Sequence, residues 1–149
     1  MSHVVRDTLE VRDVAALRAA VARLGLDWAE GATEYKWFGQ VVGDTPADPA
    51  VPWGRCHHVI RLKPDAAERA VYGNASYEIG VCRLDSGAFE LRYDYWGPGA
   101  WIRKRLGPEL RALRQEYGAA VAERKIRAAG YAVRRTEKDG KIIVQGVRA

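Results

Sequence analysis

The sequence predicts an α+β fold: an antiparallel β-sheet with two helices packed on one face, in the order β-α-β-β-β-β-α-β-β, forming a single domain over residues 1–149. Three observations carry this expectation. Tyr77, Ile79 and Val81 alternate, a turn follows at residues 85–87, and Phe89, Leu91, Tyr93 and Tyr95 alternate again, which is a hairpin pattern. Apolar residues at helical spacing stand on both sides of this region: Val14, Leu17, Val21 and Leu24 before it, Leu106, Leu110, Leu113, Tyr117 and Val121 after it. A second hairpin pattern, residues 131–136 and 142–147 around Lys138, Asp139 and Gly140, closes the chain.

Each element has a local reason. Val5, Leu9 and Val11 alternate within residues 4–11, a first strand. Asp13 offers an N-cap to the helix that follows, and Gly25 offers its stop. Residues 35–42 are aromatic and β-branched, hence a strand. Residues 43–55 hold three prolines and two glycines and read as a long loop. A short strand is expected over 57–63, and residues 64–74 form a polar connection with room for a helical turn. Gly107, Pro108 and Glu109 open one long helix, Arg124, Lys125 and Arg127 suit its C-terminal dipole, and Gly130 ends it.

Composition narrows the class. Hydrophobic residues make up 48% of the chain, enough for a packed core and against disorder. Two cysteines without a framework of spaced pairs fit a reducing compartment. No apolar run approaches membrane length and the opening residues hold no long apolar core, so a cytoplasmic protein without a membrane partner is expected. The net charge of +5 is unevenly spread: residues 101–149 carry 13 Lys/Arg against 5 Asp/Glu, the first hundred 11 against 14. Such a split suggests an anionic partner for the basic half, or a complementary surface on another copy.

The stretch "RYDYWGPGAW" (residues 92–101) concentrates the functional question, because Arg103, Lys104 and Arg105 follow it. Period 2 assigns Tyr93 and Tyr95 to the core face with Phe89 and Leu91. Trp96 lies at the strand exit and Trp101 follows a Gly-Pro-Gly turn. One reading has both tryptophans cover an edge of the core. The other has them flank a pocket or stack on bases while the cations reach phosphates. Arg111 and Arg114, one turn apart, extend a basic stripe along the long helix, although a solvated helix face looks the same. The candidate ligand-binding set is therefore Trp96, Trp101, Arg103, Lys104, Arg105, Arg111 and Arg114.

Other constellations are weaker. In a strand His57 and His58 face opposite ways, so only Cys56, His58 and Cys82 could converge, and no paired CxxC or HxxxH supports a metal. Neither cysteine has a third group to orient a Cys–His nucleophile. Glu90, Arg92 and Asp94 alternate opposite Phe89, Leu91 and Tyr93, and read as a solvated outer face with cross-strand ion pairs. A catalytic use of Glu34, Glu78, Glu90 or Asp94 would require burial or a metal. No phosphate-loop motif is present. No catalytic residue, cofactor or metal ligand is expected.

The opening Met1, Ser2 and His3, the segments "LRAAVARLGLDW" (17–28) and "YEIGVCRLDSGAFELRYDYWG" (77–97), and the ending "YGAAVAERKIRAAGYAV" with "EKDGKIIVQGVR" (117–133, 137–148) occur in one order. Together they resemble the domain-of-unknown-function family 1257, which includes a chloroplast open reading frame and cyanobacterial relatives, with related domains in phages. Residues 43–55 and 64–74 stand as insertions against the shorter family pattern. The resemblance implies a small α+β domain, and in a phage setting a host-interaction role; it implies no activity, cofactor or catalytic residue. The leading expectation is a non-enzymatic binding protein whose basic C-terminal half and aromatic turn take an anionic partner, either a nucleotide-like small molecule or nucleic acid. The alternatives are a protein–protein adaptor or homo-oligomer, and last a small carboxylate-dependent enzyme.

Overall fold

The structure, a computed structural model, describes residues 4–37, 51–72 and 77–148. Strand β1 (Val4–Val11) leads to helix α1 (Val14–Arg23). Asp13 caps that helix: its carboxylate accepts the Ala16 N–H at 3.0 Å, satisfying one of the donors a helix start leaves open. Strands β2 (Asp27–Ala29) and β3 (His58–Arg61) follow, then helix α2 (Ala66–Tyr72) and the hairpin of β4 (Ile79–Arg83) and β5 (Phe89–Asp94). Helices α3 (Ala100–Leu106) and α4 (Arg111–Ala128) precede β6 (Ala132–Lys138) and β7 (Lys141–Val147).

The fold is α+β, with a five-stranded antiparallel sheet in the order β1-β5-β4-β3-β2. It departs from the expected order in four ways. There are four α-helices among the described residues, not two. Strand β2 is new; within the expected strand 35–42, residues 35–37 are not in a strand and 38–42 lie outside the described residues. Of the expected loop, residues 43–50 also lie outside them, as do residues 73 and 74 of the polar connection. The closing hairpin forms as expected, but β6 and β7 make their own two-stranded sheet. The long helix begins at Arg111, just after the expected opening at Gly107, Pro108 and Glu109, but Leu106, expected on its apolar stripe, ends the separate helix α3; between the two, Gly107 takes φ 83°, and Glu109 and Leu110 both adopt left-handed backbone (φ 55° and 54°).

The main core lies on one face of the sheet. Ile79, Val81, Phe89, Leu91 and Tyr93 meet Leu17 and Val21 of α1, Ile102 and Leu106 of α3, and Leu113 and Tyr117 of α4. Trp101 belongs here as well, at 1% exposure. The Gly-Pro-Gly segment is a 3₁₀ turn that runs directly into α3, so Trp101 sits on the inner side of a helix and not in a free turn. The turn depends on Gly99, where a Cβ would come within 1.7 Å of the Asp94 carbonyl oxygen.

The opposite face overturns the expectation of a solvated charged surface. Glu90, Arg92 and Asp94 are buried, Arg92 and Asp94 completely. Residues 51–56 cross over this face, and Tyr35, Val51, Cys56, Val59 and Cys82 make a second, smaller core. The Tyr35 ring packs against Gly80, where any Cβ would collide with it at 2.4 Å. Arg92 donates to Glu90 Oε1 from Nε at 2.7 Å and to the Val51 carbonyl from Nη1, and its guanidinium lies 5.3 Å from the Trp53 ring centroid. The pair is thus closed over by an aromatic ring in a water-poor layer.

Candidate functional site

The strongest sequence candidate is resolved at the corner where β5 turns into α3. Strand β5 delivers Tyr93 and, just beyond its end, Tyr95. The tight Gly99 turn reverses the chain, and the first turn of α3 brings Arg103 Cζ to 5.6 Å from the Tyr95 ring centroid. That is within cation–π range. The interruption between α3 and α4 adds Glu109 to the same wall, and Arg114 Nε holds the interruption by donating to the Glu109 carbonyl at 2.7 Å. Tyr93, Tyr95, Arg103 and Glu109 line a recess of about 220 Å³. Trp96, following Tyr95 beyond the end of β5, is 45% exposed and is not part of the recess lining.

The seven candidate residues do not form one site. Trp96 and Arg103 belong to this corner. Trp101 is removed from it by burial in the core. Lys104 and Arg111 are exposed, and like Arg103 they have no ion pair among the described residues. Arg105 turns the other way and donates to the Lys63 carbonyl at 2.6 Å and to Glu68 at 3.4 Å, tying α3 to α2. Arg114 also lines a separate groove of about 440 Å³ between α4 and β7, over Gly118, Ala119 and Ala122. Tyr95 and Glu109 were missed as site residues. Tyr95 follows the core alternation, but the strand ends before it and leaves its ring half-buried.

The carboxylates and thiols have structural partners. Glu34 pairs with Arg55 at 3.1 Å in the open. Glu78 is buried and accepts from the Lys36 N–H at 2.9 Å and from Arg61 Nε at 2.7 Å. Cys56 and Cys82 donate to the carbonyls of Ala32 and Arg55. Burial pushes the Cys56 thiol up to about 12, which keeps it protonated and unreactive. His57 and His58 each accept a backbone N–H through Nδ1, from Arg83 and Gly31. Among the described residues no group of three His, Cys, Asp or Glu side chains gathers where it could hold a metal ion. No described helix is long and apolar enough to cross a membrane.

No family model, curated protein or solved structure matches this chain.

Proposed function

We propose that the protein is a binding protein and that the corner of Tyr95, Trp96, Arg103 and Glu109 takes single-stranded nucleic acid, one nucleotide of which enters the recess. The observation that carries this reading is Arg103: its guanidinium stands over the Tyr95 ring on the recess wall and has no carboxylate partner among the described residues. A cation held in this way is pre-positioned for a phosphate. The exposed Trp96 ring offers a stacking surface, and Glu109 offers an acceptor to a base N–H. Size favours a polymer over a free nucleotide. Enclosed small-molecule sites span roughly 300–1,000 Å³, whereas this recess is about 220 Å³. It holds part of a ligand whose remaining charge can run over Lys104 and Arg111. Kinship with the domain-of-unknown-function family 1257 is proposed alongside, and adds no activity to this reading.

Fluorescence anisotropy with a labelled mixed-sequence single strand tests the proposal. Binding should weaken steeply between about 50 mM and 200 mM salt. Arg103→Glu and Trp96→Ala should each reduce affinity while leaving the melting temperature within a few degrees of wild type. Absence of binding at low salt, or unchanged affinity in both variants, rejects the proposal. A second reading, docking of a protein or another copy, is favoured by the closing hairpin, whose strands pair only with each other among the described residues, with Ile143 of β7 and Tyr131 just ahead of β6 exposed. Light scattering at low salt that gives a strict monomer removes its homotypic form.

A further inference from the structure

A second cleft, of about 250 Å³, lies where α1, α4 and β6 meet, away from the β5–α3 corner. Its floor is alanine, from Ala19, Ala20 and Ala120, and its walls are charged. Arg135 closes a two-pronged pair with Glu116, Nη1 to Oε2 at 2.9 Å and Nη2 to Oε1 at 2.6 Å. This fork neutralises both groups and pins the hairpin to α4.

Glu123 is treated differently. It is 8% exposed, and its Oε1 is closed off from solvent without a hydrogen-bond donor. The nearest cations, Arg135 Nη1 and Arg127 Nη1, stand at 3.7 Å from Oε1 and Oε2 respectively, too far for a hydrogen bond. A buried acceptor left in this condition costs stability that a donor would restore. At the rim, Arg127 and Arg23 keep 61% and 51% of their side chains exposed. Glu116 also stands 3.9 Å from Arg23 Nε, and Arg135 also donates to Glu137 at 3.2 Å, outside the cleft lining. The lining itself carries three guanidiniums, Arg23, Arg127 and Arg135, against two carboxylates, Glu116 and Glu123, an excess of one positive charge.

We infer that this cleft is a binding site for an α-amino acid with a side-chain carboxylate, its ammonium on Glu123 and its carboxylates on Arg127 and Arg23. The ammonium supplies a donor from the cleft side: a partial turn about the carboxylate's last torsion, which is soft, lets one oxygen meet it while the other closes on Arg135 Nη1, 3.7 Å away in this structure. With one ammonium and two carboxylates the ligand carries one net negative charge, which balances the excess of the lining. The cleft volume is below the range of drug-sized sites, which suits a ligand of this size.

The test compares L-aspartate with succinate, which has both carboxylates and no amine, by calorimetry on the full chain at low salt. Wild type should bind L-aspartate at least about tenfold more tightly than succinate. In Glu123→Gln, which keeps the side-chain shape, that preference should vanish. Arg127→Gln, on the exposed rim, should weaken both ligands. The inference is overturned if neither ligand binds at about 10 mM, or if the two bind alike in wild type. It is also overturned if the preference survives Glu123→Gln, or if Arg127→Gln changes nothing. A preference ratio does not depend on how much of a variant is folded, and the oligonucleotide assay reads the other site separately.

Discussion

Replacing Arg92 with methionine isolates the energetics of the covered sheet face. Arg92 is fully buried and Glu90 is 7% exposed, with Arg92 Nη2 at 2.6 Å from Glu90 Oε1. Arg92→Met leaves the Glu90 charge in place without the guanidinium and takes the donor away from the Val51 carbonyl. Breaking a buried pair on one side costs about 3–5 kcal/mol, a large share of the roughly 5–15 kcal/mol that holds a domain folded. For a chain of this length that corresponds to a fall of roughly 6–20 °C in melting temperature. Glu90→Leu should also be strongly destabilising, because it strands the guanidinium. The double variant removes both desolvation penalties and packs two apolar side chains beneath Trp53. It should be more stable than either single variant, because replacing a whole buried pair by apolar residues is often neutral or better. Urea denaturation of the four proteins, read by linear extrapolation, gives the cycle. If Arg92→Met costs less than about 1 kcal/mol, as an exposed substitution would, or if the double variant loses the sum of the singles, the pair is not closed over by residues 51–56 and the reasoning fails.

Trp101→Ala should cost about 3–5 kcal/mol by opening a core cavity, while Trp96→Ala should stay within about 1 kcal/mol; thermal melts separate them. The Cys56 thiol should resist a thiol reagent at pH 8 in the native protein and react at once in denaturant, and fast native labelling would contradict its burial and raised pKa. His57 is held below its ordinary pKa by burial first and by Arg83 next. The unfolded chain therefore binds more protons in that window, so stability rises with pH up to about 6.5 and is lost below it; His57→Gln should flatten that slope in melts between pH 5 and 8. The Ala16 N–H, ahead of Arg124, holds Asp13 below the usual carboxylate range. Its contribution is present above about pH 4 and lost as pH falls further, and Asp13→Asn should keep the cap while flattening the acid limb. Glu109→Gly should raise stability by up to about 1 kcal/mol by relieving a left-handed residue and weaken oligonucleotide binding; unchanged binding would remove Glu109 from the site.

What the chain declares locally was legible. The alternation of Phe89, Leu91 and Tyr93, the Asp13 cap and the turn at Asp139 and Gly140 are short-range signals, and each appears where expected. Features that depend on distant segments were not legible. Glu90, Arg92 and Asp94 have the period and chemistry of a wet face, and only the passage of residues 51–56 over them makes that face a core. Strand β2 has three residues and no pattern of its own; it exists because Asp27, Trp28 and Ala29 find Arg61, Ile60 and Val59. Leu106 and Leu110 are four residues apart, the spacing of one continuous helix, so Leu106 was assigned to the stripe of the long helix although it ends α3, ahead of the Gly107 opening. Trp101 was left between an edge of the core and a ligand site because Gly-Pro-Gly reads as a turn, and a 3₁₀ turn opening a helix has the same composition; its burial decides for the core.

The interruption between α3 and α4 also explains why the candidate corner exists. Two successive non-glycine residues in left-handed backbone cost roughly 1–2 kcal/mol each, and such strain persists only where surrounding contacts impose it. Leu110 supplies one of those contacts, being fully buried in the main core, and the Arg114 hydrogen bond to the Glu109 carbonyl supplies another. A continuous helix from Ala100 to Ala128 would have carried residues 107–110 onward in helical backbone. Instead the chain breaks, Leu110 is driven inward, and Glu109 is left at the mouth of a recess beside the cation that α3 has just placed over Tyr95. The packing that anchors the start of α4 and the geometry that opens the recess are therefore the same backbone event. A substitution that heals the break should close the corner even though it touches neither Arg103 nor Tyr95.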